Sequence, residues 1–264
     1  MNRDTTPAPC IGVFDSGVGG LSVLNALRRR LPHAPLVYVG DVAHAPYGER
    51  DVAEVIERCH RIVAHLAALG ARVIVVACNT ATVLGIDAMR QRWPALRFVG
   101  VEPGVKPAVT ATRTGRIAVM ATPATAASAR LRYLIDAFAH SVHVHVEACP
   151  GLAAAIERGV HEGPELDAIL ASSCINVRAA EVDTVVLGCT HYPFVANAIQ
   201  TLLGDEISLI DTATAVAERA ATVWSADVDR ASLRVLSTAA VRTMAALLER
   251  CHDLEHVRVE PLSI

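Results

Sequence analysis

The chain has 264 residues, enough for one large domain or two medium ones that each bury a core. Hydrophobic residues make up 52% of it and charged residues 19%, which excludes a disordered chain, and no apolar run is long enough to span a bilayer. A formal net charge of −3, with no basic cluster longer than Arg28-Arg29-Arg30, leaves no electrostatic footprint for a nucleic acid.

The opening MNRDTTPAPC lacks the apolar core of a secretory signal, which predicts a cytoplasmic protein with reduced thiols. Seven scattered cysteines (Cys10, Cys59, Cys78, Cys149, Cys174, Cys189 and Cys251) do not form a disulfide framework. The first predicted strand, IGVF (11–14), runs into DSGVGG (15–20). Gly17 and Gly19 match two glycines of a dinucleotide-binding turn, and Asp41, after the second strand LVYVG (36–40), could serve as its ribose-binding acid. Ser22 stands where the third glycine belongs, however, and Asp15 would repel a pyrophosphate. Tight-turn glycines that expose Asp15 and Ser16 at the strand end are the better reading. The three arginines precede Leu31-Pro32 at a helix C-terminus, where cations favour the macrodipole.

Tyr47 and Gly48, in APYGER (45–50), follow the second strand at its ligand-facing end. Asp51 with Glu54 predicts a capping box, opening a helix with apolar positions Val55, Ile56, Cys59, Ile62, Val63 and Leu66 and a stop at Gly70. Strands VIVVA (73–77), RFVGV (97–101), RIAVMA (116–121), VHVHV (142–146), TVVLG (184–188) and ISLI (207–210) follow, separated by helical periodicity. The single lysine, Lys106, sits between prolines in PGVKP and makes a poor Schiff-base residue. His143 and His145 alternate on one strand without a third metal ligand, so they read as a solvated face.

This alternation predicts an α/β fold of two pseudo-symmetric domains, each a mostly parallel sheet flanked by helices. Cys78 follows Asp15 at nearly the spacing by which Cys189 follows Thr122, the mark of an internal duplication. The crossing points VEPGVKP (101–107) and IDTAT (210–214) divide the chain into residues 1–101 plus 212–264, closed by C-terminal helices, and residues 102–211. Each half carries one cysteine at a strand end that leads into a helix N-terminus, where N–H groups and the dipole favour a thiolate. Asn79, Thr80 and Thr190 add an amide and hydroxyls suited to a small carboxylate. Two thiols facing each other across a cleft suggest stereoinversion.

CNTAT (78–82) and GCTHYP (188–193), with DSGVGG and PYG upstream, resemble the cofactor-independent glutamate racemases of bacteria over roughly residues 11 to 215. The resemblance implies interconversion of L- and D-glutamate for peptidoglycan synthesis in a cleft between the two domains, with no metal, flavin or pyridoxal phosphate. It implies Cys78 as the base toward D-glutamate, assisted by Asp15, and Cys189 as the base toward L-glutamate, assisted by His191. Glu157 in AIERG is implied as a third assisting acid. Asp15-Ser16, Tyr47-Gly48, Asn79-Thr80 and Thr190-His191 are the implied substrate contacts. His44-Ala45 before PYG departs from the family pattern. A homodimer and a cell-wall-precursor effector are expected on the same ground. The rival readings are an aspartate racemase and, in another class, a binding or regulatory protein such as a gyrase inhibitor.

Overall fold

All eight strands expected from the β-branched runs form, at Cys10–Asp15 (β1), Leu36–Gly40 (β2), Ala71–Val76 (β3), Arg97–Gly100 (β4), Arg116–Ala121 (β5), His143–Ala148 (β6), Thr184–Leu187 (β7) and Ser208–Ile210 (β8). The structure, a computed structural model, describes residues 7–226, 228, 231–251, 253–254 and 256–264. Most of the opening segment read for a secretory signal, residues 1–6, therefore lies outside the described residues. Two further strands, Leu233–Ser237 (β9) and Val259–Pro261 (β10), correct the expectation that the C-terminal segment contributes helices alone. The first carries an arginine on its alternation, and the second is a three-residue edge strand ending in proline, so neither gives a strong strand signal.

The strands form two parallel sheets, one ordered β10-β9-β2-β1-β3-β4 and one ordered β6-β5-β7-β8. We call each sheet with its covering helices a lobe. β1 and β3 are almost wholly buried because helices cover both faces: Ile11 and Val13 face one core layer, Cys10 and Phe14 the other. The smaller sheet likewise separates two apolar layers. The order β2-β1-β3-β4 repeats as β6-β5-β7-β8, and Cys78 and Cys189 each lie two residues beyond the equivalent strand, β3 or β7. Among the described residues no helix is long and apolar enough to cross a membrane.

Helix α1 (Leu21–Arg30) ends on its three arginines, of which Arg29 pairs with Asp253 and Arg30 with Glu218. Helix α2 (Val52–Ala68) is capped by Asp51, which accepts the Ala53 N–H at 2.8 Å. Glu54 does not close a capping box; it takes Arg50 at 2.6 Å instead. Gly70 ends the helix with φ of 96°.

Arg58 on α2 fixes the end of β2. It is buried and grips Asp41 with two N–H donors, each at 2.9 Å. Asp41 also accepts from Tyr47 Oη at 2.6 Å and Thr238 Oγ1 at 3.0 Å, so it is a structural anchor with no oxygen left for a ribose. Burial works against its charge, but Arg58 and Tyr47 hold its carboxyl below the ordinary carboxylate range. That contribution to stability is present above about pH 4, the ordinary carboxylate value, and is lost as the pH falls through the lowered one. Arg58→Met would leave a buried carboxylate without its cation, so urea unfolding at neutral pH is expected to show a loss of about 3–5 kcal/mol. A loss under about 1 kcal/mol, the size of a surface pair, would show that the pair does not anchor this corner.

Candidate active site

The carboxyl ends of β1, β3, β5 and β7 converge on one cleft between the lobes. It is lined by Ser16, Tyr47, Gly48, Cys78, Asn79 and Thr80 from the larger lobe and by Thr122, Cys189, Thr190 and His191 from the smaller. The cleft is nearly shut, with a cavity of about 10 Å³, the space of about one water.

Cys78 caps helix α3 (Asn79–Arg92), and its Sγ accepts the Ala81 N–H at 3.4 Å. The thiol donates to Ser16 Oγ at 3.7 Å, and that hydroxyl donates to Asp15 Oδ1 at 3.1 Å. Asp15, fully buried, further accepts Gly17 N–H at 2.7 Å and Thr190 Oγ1 at 2.8 Å from across the cleft. Burial pushes the Asp15 carboxyl up, and His191 and these donors only partly offset it. Burial, joined by the charge of Asp15, also pushes the Cys78 thiol well up. The expectation that the helix N-terminus favours a Cys78 thiolate is thus corrected, because desolvation outweighs the Ala81 and Ser16 donors.

Cys189 stands in a different setting. No α-helix begins there; the chain turns and continues as a 3₁₀ segment, Tyr192–Val195, before helix Ala196–Leu203. Its partner is His191, whose Nδ1 lies 3.5 Å from Sγ. On the far side of the ring, Nε2 lies 2.5 Å from Glu157 Oε1, at the end of helix Leu152–Glu157. Burial opposes a charge on His191, but the flanking Cys189 and Glu157 carry it well above the ordinary histidine value, which makes it an imidazolium. Asp15, Glu157 and His191 bring ligand atoms within 4.8 Å of one another; Gly17, Ser16 and Thr190 bond Asp15, and Val18 and the His191 ring bond Glu157 Oε1, while Glu157 Oε2 is buried without a protein partner.

Tyr47 spends its hydroxyl on Asp41, so its ring and the main chain at Gly48 are what remain for the cleft. Both side-chain amide atoms of Asn79 are buried without a protein partner, a state that calls for a bound polar ligand. Thr80 Oγ1 meets Thr122 Oγ1 at 3.1 Å across the cleft. Thr122, the capping residue after β5, was legible only as the duplicate of the Asp15-Ser16 position and not as a site residue. Gly17 and Gly19 do not have positive φ, so turn freedom is not why they are glycines.

The residues set aside in the sequence lie elsewhere. Lys106 Nζ stacks 5.6 Å from the Phe138 ring, outside the cleft. His145 pairs with Glu147 at 3.1 Å on edge strand β6, whereas His143 is exposed.

Comparison with known proteins gives a consistent picture. Residues 20–220 match the family model of the Asp/Glu/hydantoin racemases. A glutamate racemase of Ectopseudomonas mendocina is 47% identical over 219 residues, covering 83% of this chain and 82% of that one. A solved glutamate racemase isoform of Bacillus anthracis superposes with a TM-score of 0.86 at 30% identity, covering 97% and 98% of the two chains. The Escherichia coli glutamate racemase, solved with L-glutamate and the activator UDP-MurNAc-Ala, gives 0.82 at 30% identity, covering 97% and 99%.

The raised Cys78 thiol has a direct readout. Alkylation by iodoacetamide, followed at this peptide by mass spectrometry in the absence of substrate, is expected to quicken steadily up to pH 9.0, the ordinary thiol value beneath its own. A rate that levels off below about pH 8 would mean a resting thiolate.

Proposed function

Because the chain belongs to the Asp/Glu/hydantoin racemase family, we propose that it interconverts L- and D-glutamate by moving an α-proton between two cysteines. The observation that carries this reading is that one thiol from each lobe lines a single closed cleft whose remaining groups are hydroxyls, an amide and an imidazolium. A carbon centre is inverted only if the proton leaves one face and another arrives on the opposite face. Two thiols approaching from separate sheets supply both faces.

Toward D-glutamate, Cys189 as thiolate removes the α-proton of the L-isomer while the adjacent His191 imidazolium offsets the charge. The Cys78 thiol, held protonated by burial, delivers its own proton to the other face. The turnover leaves Cys189 as thiol and Cys78 as thiolate, the state that reacts with D-glutamate, and the Ser16 hydroxyl and Ala81 N–H are there to bond that thiolate. Asn79, Thr80 and Thr190 hold the substrate's polar groups, with the N-terminus of α3 favouring a carboxylate. Within the same proposal the enzyme is cytoplasmic, supplies D-glutamate for peptidoglycan, works as a homodimer and answers to a cell-wall precursor. An activator of that kind accompanies the Escherichia coli relative.

Metal-stripped protein incubated with L-glutamate in heavy water is expected to form D-glutamate carrying deuterium at the α-carbon. D-glutamate without α-deuterium would sink the proton-transfer mechanism, and faster turnover of aspartate would sink the substrate assignment. Either Cys78→Ser or Cys189→Ser is expected to abolish racemisation, by a factor of about 10³ or more, since a hydroxyl is far less acidic than a thiol. Near-normal racemisation by either variant would rule out the two-base scheme.

A further inference from the structure

We infer that the turn Gly17-Val18-Gly19 of the larger lobe positions Glu157 and His191 of the smaller one, so that the Cys189 half of the reaction is assembled only when the cleft closes. This rests on the proposed two-cysteine chemistry and adds a dependence on the facing lobe that falls on the direct partner of Cys189 and not on the direct partners of Cys78.

Three contacts point the same way. Val18 N–H donates to Glu157 Oε1 at 2.8 Å, on the same oxygen that receives His191 Nε2. A Cβ on Gly17 would fall 1.7 Å from Glu157 Oε1 and 2.4 Å from its carboxyl carbon. A Cβ on Gly19 would fall 2.4 Å from His191 Nδ1, the atom that faces Cys189. All three gaps are far inside the roughly 3.5–4.0 Å at which non-bonded carbons rest. The backbone of these two glycines suits any residue, so the demand is for space: their bare faces form a seat for the carboxylate and the ring.

Cys78 depends on the facing lobe less directly. Its immediate partners, Ser16 Oγ and Ala81 N–H, belong to its own lobe and stay with it whatever the cleft does. When the lobes part, Glu157 loses its fixed donor and the ring loses its seat, while Cys78 keeps both immediate partners and only Asp15, one step behind Ser16, loses the Thr190 bond. The turn acts through Glu157 and His191, and its residues are positioning residues.

The test uses single-base enzymes, Cys78→Ser with Cys189 as the remaining base and Cys189→Ser with Cys78, each with and without Gly17→Ala. The substrate is either enantiomer of a β-chloro-glutamate. The remaining thiolate takes the α-proton, the freed pair forms the Cα–Cβ double bond and chloride leaves with the Cβ–Cl electrons; the enamine then hydrolyses to 2-oxoglutarate and ammonia. Gly17→Ala is expected to lower kcat of the Cys189-only enzyme at least about tenfold with KM little changed, and that of the Cys78-only enzyme by no more than about twofold. Adding Glu157→Asp, one methylene shorter, is expected to restore part of the lost kcat, a recovery that general loosening would not give.

Equal losses in both enzymes, or no loss in either, would overturn the inference. Should thermal melting show that Gly17→Ala does not fold, Gly19→Ala carries the same expectation against His191. If both single-base enzymes preferred the same enantiomer, the two-face assignment would fail. The positioning inference would still be decided by which enzyme the alanine slows.

Discussion

Asp15 carries a carboxyl group with no exposure to solvent, and the two lobes meet through it. A buried carboxyl is tolerable only when hydrogen bonds replace the water it has lost, and this one has three donors. Two of them, Gly17 N–H and Ser16 Oγ, come from its own strand end; the third, Thr190 Oγ1, comes from the residue after Cys189. One group therefore ends β1, raises the Cys78 thiol through its charge and ties the loop of the second cysteine to the first lobe. Removing it would disturb fold, acidity and closure together, which is why its role cannot be divided into a structural part and a chemical one.

The duplication that places the thiols does not make them equivalent. Strand order and the two-residue step from strand to cysteine are the same in both lobes, so the duplication brings two thiols to one cleft. Their surroundings separate them: Cys78 has an acid behind a serine, whereas Cys189 has an imidazolium backed by Glu157. Burial holds the Cys78 thiol well above its ordinary value, which suits the donor role proposed for it toward the L-isomer.

The sequence made the sheets legible wherever strands are buried on both faces, since β1, β3, β5 and β7 each carry an unbroken apolar stretch, at 10–14, 73–76, 117–121 and 185–187. It hid β9 because an arginine interrupts a five-residue run, and β10 because a three-residue edge strand of valine, glutamate and proline resembles a loop. The strand-end motifs brought Asp15, Ser16, Tyr47, Gly48, Cys78, Asn79, Thr80, Cys189, Thr190 and His191 into view, and Glu157 came only from family resemblance. Partnership was much less legible. Nothing local says that Asp41 belongs to Arg58, that Thr80 meets Thr122, or that two glycines make room for groups from another sheet. Those are contacts between residues tens of positions or more apart, and composition and periodicity carry no signal for them.

The shut cleft defines what the protein must do next. A cavity of about 10 Å³ cannot hold an amino acid, so the lobes separate to admit one. What keeps the mouth closed is polar: Thr80 with Thr122, Thr190 with Asp15, and Val18 with Glu157. Each such bond is worth about 0.5–1.5 kcal/mol net because water replaces it on opening. Phe194 is different, since it packs against the cores of both lobes and would expose apolar surface if they parted there. Breaking the polar contacts at the thiols therefore costs less than exposing Phe194. Reclosure around a substrate would expel water and return Glu157 and His191 to the seat they occupy in the closed structure.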